Sequence, residues 1–181
     1  MPSDANFHRR FLEKVGLKSG HTVLDFDCGT GEFSVAAAQT VGPKGKVVCM
    51  DRQPDNLAYV VQKAEELGLD NLKTMVLAGG LPSTLESGSF DFILLFDALH
   101  AYRFPSMEER SALFRELRRL LKDDGTLSYS PTSSAGYWGL TPSKLLAEAE
   151  ACGLVQVGIV SDDLSHHGVL QRITAYSYRK G

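Results

Sequence analysis

Short apolar runs that alternate with segments of helical spacing constrain the fold of this chain more than any other feature. The runs span residues 22–26, 46–50, 72–77, 90–96 and 126–129. Their lengths fit buried strands. Strands that alternate with helices indicate a mostly parallel sheet covered by helices on both faces.

Two of the intervening segments carry clear helix signals. In 106–122, Ser106 and Glu109 predict a capping box, and in 141–152, Thr141 predicts an N-cap with Pro142 at the first helical position. In 54–67, one apolar face is predicted to pack inward and Gly68 to end the helix. That face comprises Leu57, Val60, Val61, Ala64 and Leu67.

The N-terminal stretch NFHRRFLEKVGL predicts a further helix. Its inward residues are expected to be Phe7, Phe11, Leu12 and Val15. Two interpretations remain open, a helix that simply packs on the core and a lid that closes over a ligand pocket.

The end of the chain breaks the alternation. Residues 154–160 and 169–178 both have strand character, and only SDDLSHHG separates them. A loop of this length holds no crossover helix, so the two strands are expected to pair antiparallel. The predicted fold is α/β: a doubly wound, Rossmann-like, mostly parallel seven-stranded sheet with a C-terminal antiparallel hairpin. A single domain over 1–181 is expected, with an N-terminal helix in 1–17 and the core in 18–181.

Ligands of such sheets bind beyond the carboxyl ends of the strands, where this chain has a glycine-containing turn. In VLDFDCGTGEF, Gly29 and Gly31 follow the first strand and allow positive φ and close approach of a ligand. Asp51 ends the second strand, where an acid accepts the hydroxyls of a ribose. The alternative role for Asp51 is to cap the helix that Pro54 opens. The glycine turn and the acid together indicate an adenosine-type ligand.

The residues after Gly29 discriminate between adenosine ligands. A dinucleotide site needs G-x-G-x-x-G, whereas this chain has G-T-G-E-F-S, with Ser34 at the third position. Glu32 places negative charge where a diphosphate would lie. The pattern therefore argues against NAD or FAD and agrees with a ligand that carries an amine and a sulfonium.

With these motifs in order, residues 15–180 resemble the class I S-adenosylmethionine-dependent methyltransferases. The first motif is matched by residues 23–31 except at 27, and the second motif by GKVVCMDRQPDNLAYV. SGSFDFILLFDALHAY resembles the fourth strand, and FRELRRLLKDDGTL the following helix and fifth strand. The nearest subgroup is the small-molecule type of ubiquinone and menaquinone biosynthesis or arsenite methylation.

The resemblance implies S-adenosylmethionine as cofactor and a set of residues that bind it. They are Asp25, Asp27, Cys28, Gly29, Gly31, Asp51, Arg52, Gly79, Gly80, Leu81, Phe96 and Asp97.

Asp27 departs from the family pattern, which has a glycine beside the methionine part of the cofactor. An aspartate tolerates positive φ better than most residues, and its carboxylate attracts the amine and sulfonium while repelling the cofactor carboxylate. We expect cofactor binding to survive, with a degenerate, non-catalytic protein as the alternative.

The segment LAGGLP after the third strand lacks the acid that often binds the adenine amine. Gly79, Gly80 and Leu81 would then supply backbone groups and an apolar wall, and a plain flexible loop is the alternative.

The resemblance places the methyl acceptor near the segment after the fourth strand. His100 is the candidate general base because its reference pKa lies near neutrality, and a structural histidine is the alternative. Tyr102 and Phe104 are candidates for an aromatic wall, as are Tyr137 and Trp138 after the fifth strand. Core packing explains all four aromatics equally well.

Composition limits the remaining functions. A net charge of −3 predicts no broad nucleic-acid surface, and no apolar run is long enough for a membrane. Three widely spaced cysteines favour a reducing cytoplasm. DDLSHH is interpreted as a solvated hairpin loop without a metal. The predicted partner is a small-molecule methyl acceptor, the expected state a monomer or homodimer, and the rivals are a non-catalytic binding protein and a nicotinamide oxidoreductase.

Overall fold

The computed structural model describes residues 4–78, 84–131, 140–166 and 168–181. These residues form five helices and one seven-stranded sheet. The helices are α1 (Asp4–Lys14), α2 (Glu32–Val41), α3 (Pro54–Glu66), α4 (Met107–Leu120) and α5 (Pro142–Ala151). The strands are β1 (Thr22–Phe26), β2 (Lys46–Asp51), β3 (Leu72–Val76), β4 (Phe90–Phe96), β5 (Leu121–Ser130), β6 (Leu154–His166) and β7 (Val169–Lys180).

The strand order is β3-β2-β1-β4-β5-β7-β6, with β1 to β5 parallel and β7 antiparallel to both of its neighbours. The doubly wound sheet with a C-terminal antiparallel hairpin is therefore confirmed. The order reverses direction between β1 and β4, so the crevice at their carboxyl ends is the switch point where such sheets bind ligands.

The central strands β1 and β4 are buried on both faces, as their continuous apolar sequences require. On one face, β1 and β4 pack with α4 and α5 through Leu24, Ile93 and Leu117. On the other face, Val23 and Phe92 pack with α1 and α2. No helix in the described ranges is long and apolar enough to cross a bilayer.

The predicted caps are confirmed where the sequence placed them. Ser106 accepts from the Glu109 backbone N–H and the Glu109 carboxylate accepts from the Ser106 backbone, which forms the capping box of α4. The Thr141 hydroxyl accepts from the Lys144 backbone N–H at the start of α5.

The hairpin corrects the sequence-based prediction most clearly. The stretch SDDLSHHG was expected to be a loop, but β6 continues through residue 166 and pairs with β7 from Leu154↔Lys180 to His166↔Val169. Leu164 is buried in the core beneath α1, which anchors this part of the strand. Leu164 faces the core while its neighbour Asp163 is exposed on the other face. The polar composition of the segment therefore suggested a loop although it forms a strand.

Smaller corrections concern the outer helices. Val61 and Leu67 are exposed although they were assigned to the inward face of α3, because α3 covers the edge of the sheet and buries only a narrow stripe. Phe7 of α1 is also more exposed than predicted, whereas Phe11 and Leu12 are fully buried. β5 begins at Leu121, inside the segment predicted as helix, because Leu121 pairs with Phe90.

Candidate functional site

The turn between β1 and α2 has a left-handed backbone at three alternate positions. Asp27, Gly29 and Gly31 have φ values of +62°, +54° and +77°. A Cβ on Gly31 would lie 2.5 Å from Cγ2 of Val60 in α3, so this glycine is needed for helix packing. A Cβ on Gly29 would meet nothing within 4 Å, which leaves open space at this point of the turn.

Asp25, the last acid before the turn, is buried and held by α2. Its carboxylate accepts a hydrogen bond of 2.5 Å from the Ser34 hydroxyl, and the residue is 2% exposed. Burial raises the pKa of Asp25 to about 7. Ser34, which replaces the third glycine of a dinucleotide motif, therefore has a defined role in this chain.

Asp51 connects the carboxyl ends of β1 and β2. Its Oδ2 accepts from the Gly29 backbone N–H at 2.9 Å, and its Oδ1 accepts from the Gln53 backbone N–H at 2.8 Å. The Asn56 side-chain amide donates to the same Oδ1 at 3.1 Å. The alternative role, in which Asp51 itself caps α3, is not what the structure shows, because the N-cap residue is Gln53. Asp51 instead supports the start of α3 by accepting from the Gln53 backbone N–H.

Asp27 forms an ion pair with Arg103, from the segment that connects β4 to α4. The Arg103 Nη1 donates to Asp27 Oδ2 across 76 positions of sequence. The Asp27 side chain is only 5% exposed, and its Oδ1 is buried without a hydrogen-bond partner among the described residues. Burial raises the pKa of Asp27, and the Arg103 guanidinium opposes that rise.

A second, deeper ion pair holds the segment that carries Arg103. Arg110 of α4 binds Glu148 of α5 through two hydrogen bonds of 2.6 and 2.7 Å, and both side chains are buried. The Arg110 guanidinium also donates to the backbone carbonyls of Phe104 and Pro105. The chain immediately after Arg103 is therefore fixed to α4.

These residues surround one cavity at the carboxyl ends of β1, β2 and β4. Its described lining contains five acidic side chains and one cation, Arg103. The acids are Asp25, Asp27, Glu32, Asp51 and Asp97. Even with Asp25 protonated below about pH 7, the other four acids outnumber Arg103, and this negative charge favours a cationic ligand and disfavours a diphosphate.

Aromatic rings form one wall of the cavity. The Phe33 and Phe96 rings meet edge to face with centroids 4.8 Å apart, and Phe11 of α1 packs on Phe96 at 6.1 Å. At another point of the lining, the His100 ring stacks on Tyr102 at 4.9 Å. α1 thus supports this wall as a packed helix.

The structure brings most of the predicted site residues together. Asp25, Asp27, Cys28, Gly29, Asp51, Phe96, Asp97 and His100 all line the cavity. Gly31 and Arg52 are not part of the described lining: Gly31 lies against Val60 of α3, and the Arg52 guanidinium lies 6.0 Å from the centroid of the Phe104 ring. Gly79, Gly80, Leu81, Tyr137 and Trp138 lie outside the described residues.

Five described lining residues were not among the predicted site residues. They are Thr30, Glu32, Phe33, Asn56 and Arg103. The first three lie within or beside the recognised turn, and Asn56 lies in the segment that resembles the second motif, so their positions were a signal. Arg103 had no signal, because only the folded chain brings it to Asp27. Within the described ranges, no group of three His, Cys, Asp or Glu side chains is arranged to hold a metal ion.

Comparison with known proteins agrees with this architecture. A family model described as "Methyltransferase domain" matches residues 17–153. The chain is 26% identical over 122 residues to a demethylmenaquinone methyltransferase of Oceanobacillus iheyensis, covering 67% of this chain and 49% of the relative. It is 31% identical over 146 residues to the nocamycin O-methyltransferase of Saccharothrix syringae, covering 79% and 50%.

Solved structures share the fold at lower sequence identity. The crystal structure of a SAM-dependent methyltransferase from Aquifex aeolicus superimposes with a TM-score of 0.75 at 23% identity, covering 99% of this chain and 94% of that one. This similarity establishes the fold alone. The chain spans about half the length of the curated relatives it matches.

Proposed function

This chain belongs to the methyltransferase domain family, and we propose that it transfers a methyl group from S-adenosylmethionine to a small organic acceptor. The match over residues 17–153 includes the turn after β1, the acid that ends β2 and the segment after β4. These are the parts of the chain that surround the acidic cavity.

The acidic cavity is the observation that carries this proposal. Five carboxyl side chains and one guanidinium line it in the described part of the chain. S-adenosylmethionine carries a sulfonium, an ammonium and a single carboxylate, so its net positive charge complements this lining. A nicotinamide dinucleotide would place two negatively charged phosphates beside the same acidic side chains. The resulting repulsion disfavours the oxidoreductase alternative.

Two further observations agree with a ligand at the turn. Asp27 Oδ1 is buried and has no hydrogen-bond partner in the ranges that the structure describes, which costs free energy that a cationic ligand group would recover. The space around Gly29 lets a ligand approach the backbone closely. The residues present therefore fit S-adenosylmethionine.

In the proposed complex, each part of the cavity has a distinct task. Asp51 accepts the ribose hydroxyls while Gly29, Gln53 and Asn56 keep its carboxylate oriented. Gly79, Gly80 and Leu81, in the connection between β3 and β4, would supply the contacts to the adenine.

Methyl transfer needs alignment more than a dedicated catalytic group. When bound, S-adenosylmethionine supplies an electrophilic methyl group on a positively charged sulfur. Residues of the cavity, among them Phe96 at the end of β4 and His100 in the segment after it, would hold the acceptor in line with that methyl group, and the sulfur would keep the electron pair of the broken carbon–sulfur bond. Phe33 and Phe96 exclude water beside the reacting atoms. His100 is the proposed general base for an acceptor that must lose a proton.

The proposed acceptor is a small molecule, which His100 and Tyr102 would meet beside the cavity. The two curated relatives are named for demethylmenaquinone and nocamycin, and this agrees with a small organic acceptor. The three free cysteines, Cys28, Cys49 and Cys152, agree with a reducing cytoplasm as the site of action.

A non-catalytic binding protein is the second candidate, and Asp27 is the observation that favours it. A side chain stands where the family has a glycine, and its partner Arg103 lines the same cavity. This candidate predicts binding of the methyl donor without turnover.

Binding followed by turnover separates the two candidates. We expect calorimetry to detect S-adenosylmethionine binding, and Asp51→Asn to weaken it about 10-fold or more, because the variant loses a charged acceptor for the ribose. The exposed Asp70→Asn serves as the matched control and should bind normally. Incubation of the protein and radiolabelled donor with a metabolite extract should then label a small product.

The results of the binding and labelling experiments distinguish the two candidates. Binding without a labelled product in extracts from several sources would support the non-catalytic candidate. No binding of the donor by the folded protein would reject both candidates.

A further inference from the structure

Asp27 and Arg103 form an ion pair at the point where the turn needs a left-handed backbone. Asp27 has a φ of +62°, so the aspartate occupies the conformation that a glycine would adopt more easily. Its side chain turns into the cavity and is 5% exposed. One carboxylate oxygen binds Arg103, and the other is buried without a partner in the described part of the chain.

Arg103 uses only part of its hydrogen-bonding capacity on this contact. Its Nη1 donates to Asp27, and its guanidinium lies 5.7 Å from the centroid of the Tyr102 ring. A guanidinium has five N–H donors in a planar fork that matches a carboxylate. The side chain is 17% exposed and lines the cavity, so donors remain available to a ligand.

The pair offers one charge of each sign within a single subsite. A free amino-acid group is the ligand with the same two charges, an ammonium and a carboxylate. In the chain without a ligand, Asp27 and Arg103 neutralise each other. A bound zwitterion would pair its ammonium with Asp27 and its carboxylate with Arg103. The ammonium would also donate a hydrogen bond to Asp27 Oδ1.

We propose that Asp27 and Arg103 together recognise the amino-acid end of the methyl donor, Arg103 through its carboxylate and Asp27 through its ammonium. This inference rests on the proposed function and adds a specificity-determining pair to it. Arg103 also cancels the repulsion that Asp27 alone would exert on the donor carboxylate. The pair explains how an aspartate replaces the family glycine without abolishing the site.

Donor analogues that lack one charge at a time test the proposal. Calorimetry compares S-adenosylmethionine with its decarboxylated analogue, its deaminated analogue and 5′-methylthioadenosine, which lacks the whole amino-acid group. The variant Arg103→Gln should bind S-adenosylmethionine about 10- to 100-fold more weakly, the usual range for a lost charge-assisted hydrogen bond, and bind the decarboxylated analogue as the wild type does.

The complementary variant reverses the pattern. Asp27→Asn should weaken binding of S-adenosylmethionine and of the decarboxylated analogue, and leave the deaminated analogue unaffected. Asp27→Gly restores the glycine of the family, yet it should also weaken donor binding because Arg103 loses its partner and the ammonium loses its acceptor.

Three controls keep the interpretation specific. Arg172→Gln removes an exposed arginine of β7, paired with Asp163, and should leave every affinity unchanged. Arg103→Lys keeps the charge and should retain discrimination against the decarboxylated analogue. Thermal unfolding of each variant confirms that it is folded before titration.

The results distinguish this proposal from the proposed function. Equal losses for all four ligands in Arg103→Gln, or no loss at all, would overturn the role of the pair while donor binding stands. A wild-type protein that binds none of the four ligands would overturn both the pair and the proposed function.

Discussion

Asp25 and Asp27 stand two residues apart at the end of β1, and the structure gives them opposite environments. Asp27 has a cationic partner in Arg103, whereas Asp25 is paired within the described residues with the Ser34 hydroxyl alone and lies deeper in the protein. A buried carboxyl group without a cation favours its neutral form. Burial raises the pKa of both carboxyls, and only at Asp27 does a guanidinium oppose that rise.

The raised pKa of Asp25 predicts a pH-dependent stability. The folded chain holds this proton up to about pH 7, while an unfolded chain releases it near the ordinary value of 3.8. Between these values the folded state binds more protons, so this residue's contribution to stability falls as the pH rises from about 4 to 7. Above pH 7 the loss is complete and amounts to about 4 kcal/mol, at about 1.4 kcal/mol for each pKa unit.

Asp25→Asn tests this prediction, because an amide does not titrate and still accepts from Ser34. Urea unfolding of the variant and the wild type is compared at several pH values from 4 to 8. The variant should gain stability relative to the wild type as the pH rises, by up to about 4 kcal/mol. A difference that stays constant across this range would contradict the raised pKa.

At the scale of elements, two close contacts hold the site together. Gly31 lets the start of α2 approach Val60 of α3, and the Arg110–Glu148 pair joins α4 to α5. The first contact fixes the turn beside Asp51, and the second fixes the segment that carries Arg103. The site is thus assembled from elements that packing brings together on both faces of the sheet.

The two glycines of the turn provide a matched test of helix packing. Both have positive φ, so alanine at either position costs about 1–2 kcal/mol in backbone strain. Only at Gly31 does the added methyl group also collide with Val60, at a further cost of about 1–3 kcal/mol. Urea unfolding should therefore show a larger loss for Gly31→Ala than for Gly29→Ala.

Val60→Ala supplies the control for that difference. In a double-mutant cycle, Gly31→Ala should be less costly in the Val60→Ala background than in the wild type. Equal losses for both glycine variants would show that the backbone conformation alone requires these glycines.

At the scale of the whole molecule, the C-terminal hairpin completes the sheet. β7 inserts between β5 and β6, and its residues contribute to both buried clusters. Tyr178 packs in the cluster beneath α4 and α5, whereas Ala175 packs in the cluster beneath α1 and α2. The family match ends at residue 153, before this hairpin begins. A single domain over 1–181 stays a prediction, and the shared sheet favours it.

A chain that ends at residue 153 should not fold cooperatively. It would lose β6 and β7, leave β5 as an unpaired edge and expose apolar side chains of both clusters. We expect low solubility and no cooperative urea transition by circular dichroism.

A shortened hairpin serves as the control for this truncation. Replacing residues 165–170 with Asn-Gly removes only the tip and keeps Leu164 and the β5–β7 pairing, so this variant should unfold cooperatively. A cooperative, stable 1–153 chain would show that the hairpin is dispensable.

Local patterns in the sequence were sufficient to predict the element types, the antiparallel end of the sheet, the helix caps and the acids at the strand ends. These features depend on periodicity and turn chemistry within a few residues, and such short-range preferences act wherever the segment lies. The tertiary structure alone determined that Arg103 meets Asp27, that Arg110 meets Glu148, and that β6 continues through residue 166. The two ion pairs join residues 76 and 38 positions apart, and the end of β6 depends on burial of Leu164 in the cluster that α1 covers. The energies of these contacts depend on burial and distance that only the folded sheet creates.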